Sequence, residues 1–345
     1  MAKPTVFVSG ATGFIAQHVV KGLLETKKYK VVGSVRNSEK ATLMKAGFEN
    51  NPDLSFVIVR DLAQIDAFDE SFKQLGSEIK YVFHTASPVI FDITDFEKDL
   101  IVPATNGTKG IFQAAVKYAP NVKKFILTSS FSAVCSIAEE NDSSLTLIEK
   151  SWNSQPLEEA MGNSVDAYGY SKTAAEKAAW DLHKKLDPKF SLTVINPAYV
   201  FGPQCFDSSV KEKLNASCQN INEIVHSNLG DPVKAQVKGS FIHISDLAKA
   251  QVSCIENHKL NGQRLILAKD RFSLQNVVDI INAKYPSLEG KITKGEPESA
   301  KQAIEGLAKV DNHVTKELLG FPLKTLTEAV QDTVDQILRV EAAQM

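Results

Sequence analysis

The sequence TVFVSGATGFIAQHVVKGLLE, residues 5–25, contains a short apolar strand, a glycine turn and an amphipathic helix in that order. Gly10 and Gly13 are three positions apart, and Ala16 follows three positions later. Small residues at such a turn let the backbone bend tightly, let a pyrophosphate approach the helix N-terminus and let the helix pack closely on the strand. Because strand, turn and helix occur in the required order, the stretch predicts a dinucleotide-binding site.

More apolar strands follow the first one, at intervals that leave room for a helix between them. They are YKVVGSVR (29–36), SFVIV (55–59), KYVFHTAS (80–87), KKFILTSS (123–130) and SLTVINPAYVFGPQ (191–204), the last with a Pro/Gly-rich exit. A long helix is predicted for residues 95–119. This alternation predicts an α/β fold of the Rossmann type, a doubly wound parallel sheet with helices on both faces and right-handed crossovers.

The second predicted strand ends where the adenosine ribose of a dinucleotide would lie. Enzymes that use NAD usually carry Asp or Glu there to bind the ribose 2′-hydroxyl. This sequence instead has Arg36 and, one turn later, Lys40. Two cations without a carboxylate favour a 2′-phosphate, and therefore NADPH or NADP as cofactor; the alternative is a solvated basic turn.

The ends of other predicted strands supply further candidate cofactor-binding residues. Asp61 is expected either to hydrogen-bond the adenine amino group or to cap the helix that follows, and the small residues after His84 would let the cofactor lie against the strand end. His84 itself is predicted to be structural. The candidate cofactor-binding residues are Gly10, Thr12, Gly13, Phe14, Ile15, Arg36, Lys40, Asp61, Leu62, Thr85, Ala86, Ser87, Thr128, Pro197 and Val200.

Beyond residue 204 the alternation loosens. Helices are predicted near 214–227, 273–284 and 324–342, with a strand at 264–268. We expect residues 1–197 to form a Rossmann NADP-binding domain to which 240–257 return. Residues 198–345 are expected to form mainly a smaller, interleaved C-terminal substrate-binding domain.

The segment YGYSK places Tyr168 and Lys172 four residues apart, on one face of a predicted helix. A lysine ammonium beside a phenol favours the phenolate and would lower the tyrosine pKa toward neutrality, which makes the pair an acid/base device. Ser130, at the end of the strand KKFILTSS, would hydrogen-bond a substrate oxygen on which charge develops. Asn106 either orients a water or the lysine, or has a local backbone role. The candidate catalytic residues are therefore Ser130, Tyr168 and Lys172.

Aromatic and aliphatic residues at the predicted cleft edge indicate an apolar substrate pocket, although any one such residue is more often part of a core. They are Val89, Phe91, Phe131 and Tyr199, with Phe206 nearby.

The overall composition of the chain bears on which kinds of binding partner it can have. The 39 Lys and Arg residues nearly balance the 41 Asp and Glu residues, so no global charge favours nucleic acid or a membrane surface. The four cysteines lack metal-type spacing, and no apolar run reaches the roughly 18 residues that span a bilayer. The first residues lead directly into a strand, so we expect no signal peptide and a cytoplasmic protein. From the cysteine spacing we expect no bound metal.

The motifs SGATGFIA, Asp61-Leu62, HTAS, LTSS, YGYSK, NPAYVFGP and FIHISDLAKA resemble those of the extended short-chain dehydrogenase/reductase family along nearly the whole chain. The stretches FVSGATGFIAQHVV, HTASP followed by FDITD, KSWN and EKAAW are similar to the dihydroflavonol-reductase-like branch, and within it to fungal NADPH-dependent methylglyoxal and aldehyde reductases. The resemblance implies Ser130, Tyr168 and Lys172 as the catalytic set and Arg36 and Lys40 as the phosphate-binding residues. One departure is Ala16, where many members have a third glycine.

These observations predict an NADPH-dependent carbonyl reductase that acts on small-molecule aldehydes or ketones, as a monomer or homodimer. Two alternatives remain open. A sugar-nucleotide epimerase or dehydratase of the same fold would normally use NAD, which Arg36 and Lys40 disfavour. A non-enzymatic NADP-sensing regulator would typically lack the tyrosine and lysine.

Overall fold

The computed structural model describes residues 2–212 and 214–343. The strands are β1 (Thr5–Ser9), β2 (Lys30–Val35), β3 (Leu54–Ile58), β4 (Ile79–His84), β5 (Lys124–Thr128), β6 (Thr146–Leu147), β7 (Ser191–Pro197), β8 (Tyr199–Phe201), β9 (Lys238–His243), β10 (Arg264–Leu267), β11 (Asp270–Ser273) and β12 (Lys309–Val310). The α-helices are α1 (Phe14–Glu25), α2 (Ser38–Gly47), α3 (Asp69–Leu75), α4 (Val102–Tyr118), α5 (Ile137–Glu140), α6 (Leu157–Ala160), α7 (Ser164–Leu186), α8 (Asp207–Glu212), α9 (Ala216–Val225), α10 (Ile244–Ser253), α11 (Leu274–Lys284), α12 (Ser299–Glu305), α13 (His313–Leu319) and α14 (Leu326–Ala342). A π-helical turn, Glu97–Ile101, precedes α4, and 3-10 turns span Phe131–Ala133 and His258–Leu260.

The chain divides into two compact units. The first comprises Met1–Ile137, Glu149–Asn196 and Ala248–Ile266, and the second comprises Ala138–Ile148, Pro197–Leu247 and Leu267–Met345. In this division the chain passes to the second unit after Asn196 and returns to the first at Ala248. The domain boundary after residue 197 and the return at 240–257 stay predictions.

A seven-stranded parallel sheet organises the first unit, with strand order β10-β7-β5-β4-β1-β2-β3. Strand β1 pairs in parallel with both β2 and β4, so the strand order reverses beside it. In open α/β sheets, ligands bind outside the carboxyl ends of the strands at such a reversal. The predicted Rossmann-type parallel sheet is confirmed, and its reversal lies at the strand that leads into the glycine turn.

The core of this unit is aromatic. Phe7 on β1 and Phe125 on β5 are fully buried, and Phe112 from α4 packs against Phe125 with ring centroids 5.1 Å apart. Phe190, just before β7, stacks on Phe125 at 5.8 Å. Successive side chains of β1 and β5 point to opposite faces of the sheet, and both faces are buried. These strands are therefore nearly continuous hydrophobic runs.

The second unit contains a small mixed sheet and several helices. Strand β9 pairs in parallel with β8 and antiparallel with β11. Phe201, Phe241 and Phe272, one from each strand, form a buried aromatic cluster with centroid separations of 4.9–6.4 Å. Helix α14 packs on α9 and α11, and a capping box at Thr325 and Glu328 fixes its first turn.

The short strands β6 and β12 pair in parallel, which attaches the segment Ala138–Ile148 to the second unit. Within the residues that the structure describes, no helix has the length and apolarity needed to cross a membrane.

Candidate active site

The glycine turn after β1 is shaped for a ligand. Gly10 has φ +63°, and a Cβ there would lie 2.9 Å from the Cα of Ala86, so only glycine fits. The N–H of Gly13 donates to the oxygen of Gly10 at 2.9 Å, and α1 begins at the next residue, Phe14. The bare backbone and the helix N-terminus form the cradle that a pyrophosphate requires, so the predicted residues Gly10 to Ile15 fit the dinucleotide.

Ser9 and His84 connect the ends of β1 and β4. The hydroxyl of Ser9 accepts hydrogen bonds from the N–H groups of Thr85 and Ala86, both at 3.0 Å, and contacts Nδ1 of His84 at 2.8 Å. Nε2 of His84 contacts the hydroxyl of Thr108 at 3.2 Å. Burial, and secondarily the charge of Lys172, lowers the pKa of His84 to about 3. His84 is thus neutral and hydrogen-bonded on both ring nitrogens, which fits the predicted structural role, and the Ser9 hydroxyl that it contacts holds the backbone of Thr85 and Ala86.

Arg36 and Lys40 lie where the sequence placed them. Arg36 follows β2 directly, and Lys40 belongs to the first turn of α2, where its N–H donates to the side chain of Asn37 at 2.9 Å. Both side chains are exposed, and within residues 2–212 and 214–343 neither forms a salt bridge. Two cations free of carboxylate partners fit an added phosphate.

The sequence allows two roles for Asp61 and two for Asn106, and the observed side-chain contacts bear on each of them. The carboxylate of Asp61 accepts from the N–H of Ala63 at 2.9 Å and from the side chain of Gln64 at 3.2 Å, so it caps a turn at 61–64 and not a helix, since α3 begins only at Asp69. Leu62 packs against the core. The amide of Asn106 donates at 2.8 Å to the backbone oxygen of Ala63, 43 positions earlier, so it supports a distant loop rather than its own helix, and a role toward a water or Lys172 stays a prediction.

Ser130, Tyr168 and Lys172 meet in the first unit. Ser130 follows β5 and caps the 3-10 turn, where its hydroxyl accepts from the N–H of Ser132 at 3.2 Å. It also hydrogen-bonds the phenol of Tyr168. Helix α7 carries Tyr168 and Lys172 one turn apart, and Nζ of Lys172 donates to the oxygen of Thr128 at 3.2 Å. The structure therefore brings together the three residues that the sequence selected from segments about forty positions apart.

The electrostatics of this set differ from the expectation. Burial raises the pKa of Tyr168, and the hydrogen bond with Ser130 only partly opposes the shift. Burial also lowers the pKa of Lys172 to about 8, although the negative charge of Glu176 acts the other way. The expected lowering of the Tyr168 pKa by Lys172 is therefore wrong for this structure, because desolvation of the phenol is the larger effect.

A small cavity is lined by Ser87, Thr128, Lys172 and Glu176 among others. The hydroxyl oxygen of Ser87 is buried and lacks a hydrogen-bond partner among the described residues. Thr128 is held on its other side by Gln251, whose amide donates to its hydroxyl at 2.7 Å. An unpaired hydroxyl at a strand end is consistent with a place in a cofactor site.

The predicted pocket residues occupy two units. In the first, Val89 and Phe91 are 54% and 40% exposed, whereas Phe131 is buried beside Ser130. Tyr199 belongs to the second unit, where its ring packs on Phe272 at 5.3 Å. Pro197 and Val200 also belong to the second unit, at the end of β7 and within β8. Their roles as cofactor and pocket residues remain predictions.

Glu176 and Arg264 were missed by the sequence reasoning. Arg264 pairs with Glu176 at 2.5 Å, and the two side chains are only 9% and 0% exposed. Glu176 is four residues after Lys172, on the helix face already identified, and that spacing was the available signal. Arg264 gave no signal, because 88 residues separate it from Glu176.

The described residues contain no group of three or more His, Cys, Asp and Glu side chains that could hold a metal ion. All four cysteines are free thiols.

A glycine turn at the strand reversal and a Ser–Tyr–Lys set at the ends of β5 and α7 are typical of enzymes with a nicotinamide dinucleotide and a Rossmann fold. Residues 6–268 match the model of the NAD dependent epimerase/dehydratase family, and the chain belongs to that family.

Named relatives cover essentially the whole chain. The NADPH-dependent methylglyoxal reductase of Saccharomyces cerevisiae is 47% identical over 340 residues, which are 98% of this chain and 99% of that protein. A putative NADPH-dependent methylglyoxal reductase of Candida albicans is 41% identical over 97% of this chain and 98% of its own. The crystal structure of the yeast methylglyoxal/isovaleraldehyde reductase complexed with NADPH superposes with a TM-score of 0.94, covering 98% of this chain and 99% of that one.

Proposed function

We propose that this chain is an NADPH-dependent carbonyl reductase, which reduces aldehydes or ketones to alcohols. The observation that carries the proposal is the hydrogen bond between Ser130 and Tyr168 at a buried site, with Lys172 one helical turn away. Relatives that are 47% and 41% identical over nearly the full chain are named NADPH-dependent methylglyoxal reductases, which supports the same chemistry here.

The cofactor would be held by the glycine turn and by the basic residues after β2. Gly10 and Gly13 leave room for the pyrophosphate, and Arg36 with Lys40 would bind the 2′-phosphate. When bound, NADPH supplies a hydride to the carbonyl carbon. Lys172 would hold the nicotinamide ribose hydroxyls through its buried ammonium.

Ser130 and Tyr168 would act on one substrate oxygen. Ser130 donates a hydrogen bond to the carbonyl oxygen as negative charge develops there. Tyr168 gives its proton to the nascent alkoxide, which is a much stronger base than a phenolate, so the transfer is favourable even though burial raises the pKa of the phenol. The ammonium of Lys172 stabilises the phenolate that remains until a proton is recovered from solvent.

The substrate class follows from the exposed apolar residues and the relatives. Val89 and Phe91 would contact an apolar carbonyl compound, with Phe131 and Tyr199 as further predicted pocket residues. We propose methylglyoxal and aliphatic aldehydes such as isovaleraldehyde as substrates, and bulky ketones as a further class. The cytoplasmic location, the absence of a nucleic-acid partner and a monomeric or dimeric state remain predictions.

The proposal is tested by following NADPH oxidation by the purified protein with methylglyoxal, isovaleraldehyde and an aryl ketone, with NADH in parallel. We expect turnover with NADPH and much slower turnover with NADH. The variant that tests the mechanism is Tyr168→Phe, which removes one hydroxyl and should abolish turnover while the protein still binds NADPH. Substantial turnover by that variant would contradict the mechanism, and no turnover by the wild type with any carbonyl would contradict the function.

A further inference from the structure

Glu176 is a fully buried carboxylate that the proposed mechanism does not use. It is the third member of a series on one face of α7, after Tyr168 and Lys172, and successive members are four positions apart. Burying a carboxylate is costly unless it is paired and hydrogen-bonded, so its surroundings indicate what it does.

Four donors converge on this carboxylate. Oε2 accepts from the hydroxyl of Ser129 at 2.6 Å and from the amide of Asn196 at 2.7 Å. Oε1 accepts from Nε of Arg264 at 2.5 Å and from the indole of Trp180 at 3.3 Å. A network this complete holds its members in one geometry.

Asn196 extends the network to the proposed active site. The same amide nitrogen that donates to Glu176 also donates to the backbone oxygen of Ser130 at 3.0 Å. Ser129, the other partner of Oε2, is the residue before Ser130. Glu176 therefore holds the side chain of Ser129 directly and the carbonyl of Ser130 through Asn196, and these two contacts position the segment that carries the Ser130 hydroxyl.

Arg264 anchors the opposite side of the carboxylate. Its guanidinium donates to the backbone oxygens of Glu149, Ser151 and Ala133 at 2.9, 2.5 and 3.1 Å. It also lies over the ring of Trp152, 4.0 Å from the centroid. The guanidinium of Arg264 is thus engaged by Glu176, three backbone oxygens and the Trp152 ring, and the charge that acts on Lys172 is that of Glu176.

Lys172 has few charged neighbours. The titratable groups around it are Tyr168 and Glu176 on its own helix and His84 on β4, and burial keeps His84 neutral at physiological pH because its pKa is about 3. Glu176 is the negative charge that opposes the loss of the Lys172 proton.

We propose that Glu176 is a positioning residue of the reductase, which fixes Ser130 through Asn196 and keeps Lys172 in its charged form. This inference rests on the proposed function. It assigns two separable roles to one carboxylate, because the route to Ser130 passes through Asn196, whereas the effect on Lys172 is electrostatic.

Two variants separate these roles. Glu176→Gln removes the charge, and we expect kcat to fall about 10²-fold because a small misplacement of Ser130 is costly. The alkaline limb of the kcat/KM profile should also move to lower pH by about one unit, since Lys172 loses its nearby opposite charge. Asn196→Ala keeps the charge and breaks the link to Ser130, so kcat should fall about tenfold while the alkaline limb stays in place.

The matched control is Asp181→Asn, which removes an exposed carboxylate from the same helix and should change neither kcat nor the pH profile. Wild-type kcat in both test variants would overturn the proposal, as would a pH profile unchanged by Glu176→Gln. If Glu176→Gln does not yield folded protein, Asn196→Ala decides, and full kcat in that variant overturns the proposal. Failure of the proposed function would appear differently, as a wild-type protein that oxidises no NADPH.

Discussion

The ring of Phe91 packs against the ring of Tyr168 in a tilted edge-on arrangement, with centroids 5.7 Å apart, while 40% of Phe91 remains exposed. An aromatic side chain that covers a proposed proton donor and still faces solvent is well placed to contact the apolar part of a substrate. We expect Phe91→Ala to raise KM for isovaleraldehyde about three- to tenfold and to change KM for the smaller methylglyoxal less. The measurement is steady-state kinetics with both aldehydes. The control Leu43→Ala trims another exposed apolar residue, on α2, and equal KM changes for the two aldehydes would contradict the assignment.

Ser130 hydrogen-bonds Tyr168 and is proposed to bind the carbonyl oxygen. Ser130→Ala should lower kcat about 10²–10³-fold, because a donor to the developing oxyanion is lost. NADPH affinity should stay within a few-fold of the wild type, as followed by cofactor fluorescence. The neighbouring Ser132→Ala removes a hydroxyl from the same turn and should retain activity. A Ser130→Ala variant with normal kcat would exclude an oxyanion role for this hydroxyl.

Arg36 is exposed directly after β2 and is proposed to bind the 2′-phosphate of NADPH. Arg36→Asp should reverse the charge at that point, so kcat/KM for NADPH should fall by at least about 10²-fold while that for NADH falls much less. Lys45→Asp changes an exposed lysine later in α2 and serves as the charge control. An unchanged ratio of the two cofactors in Arg36→Asp would place the phosphate elsewhere.

His84 makes stability depend on pH. An unfolded histidine titrates near pH 6.5, whereas burial lowers the folded pKa of His84 to about 3, so between these values the unfolded chain binds the extra proton. Stability from this group is fully present above about pH 6.5 and is lost as the pH falls toward 3, at about 1.4 kcal/mol per pH unit. Urea unfolding of the wild type and of His84→Gln between pH 4 and 7 checks this, and the variant should show the smaller slope. Equal slopes would mean that His84 is not the responsible group.

Much of the fold was predictable because its signals are local. The glycine turn requires Gly10 at a positive φ, and the parallel strands are short apolar runs, so both are visible in a few consecutive residues. The pair Tyr168 and Lys172 was equally accessible, because helical spacing places them on one face.

Other features depend on contacts between distant segments. The pairing of β6 with β12 joins residues more than 160 positions apart and attaches a short segment to the second unit. The raised pKa of Tyr168 is a consequence of burial, which the residue types alone do not give. The partners of Glu176 come from α7, from the residue after β5, from β7 and from β10, and only the helical spacing to Lys172 could have drawn attention to it.

The ion pair between Glu176 and Arg264 has a consequence for the order in which the protein matures. Arg264 lies 88 residues after its partner, so on the ribosome the segment with Ser130, Tyr168 and Lys172 is synthesised well before the guanidinium that completes its support. During that interval, closing the site around the carboxylate would bury an uncompensated charge, which is costly. We therefore expect a nascent chain that ends before Arg264 to leave the acid/base residues without their full support, which is completed only when β10 has been synthesised.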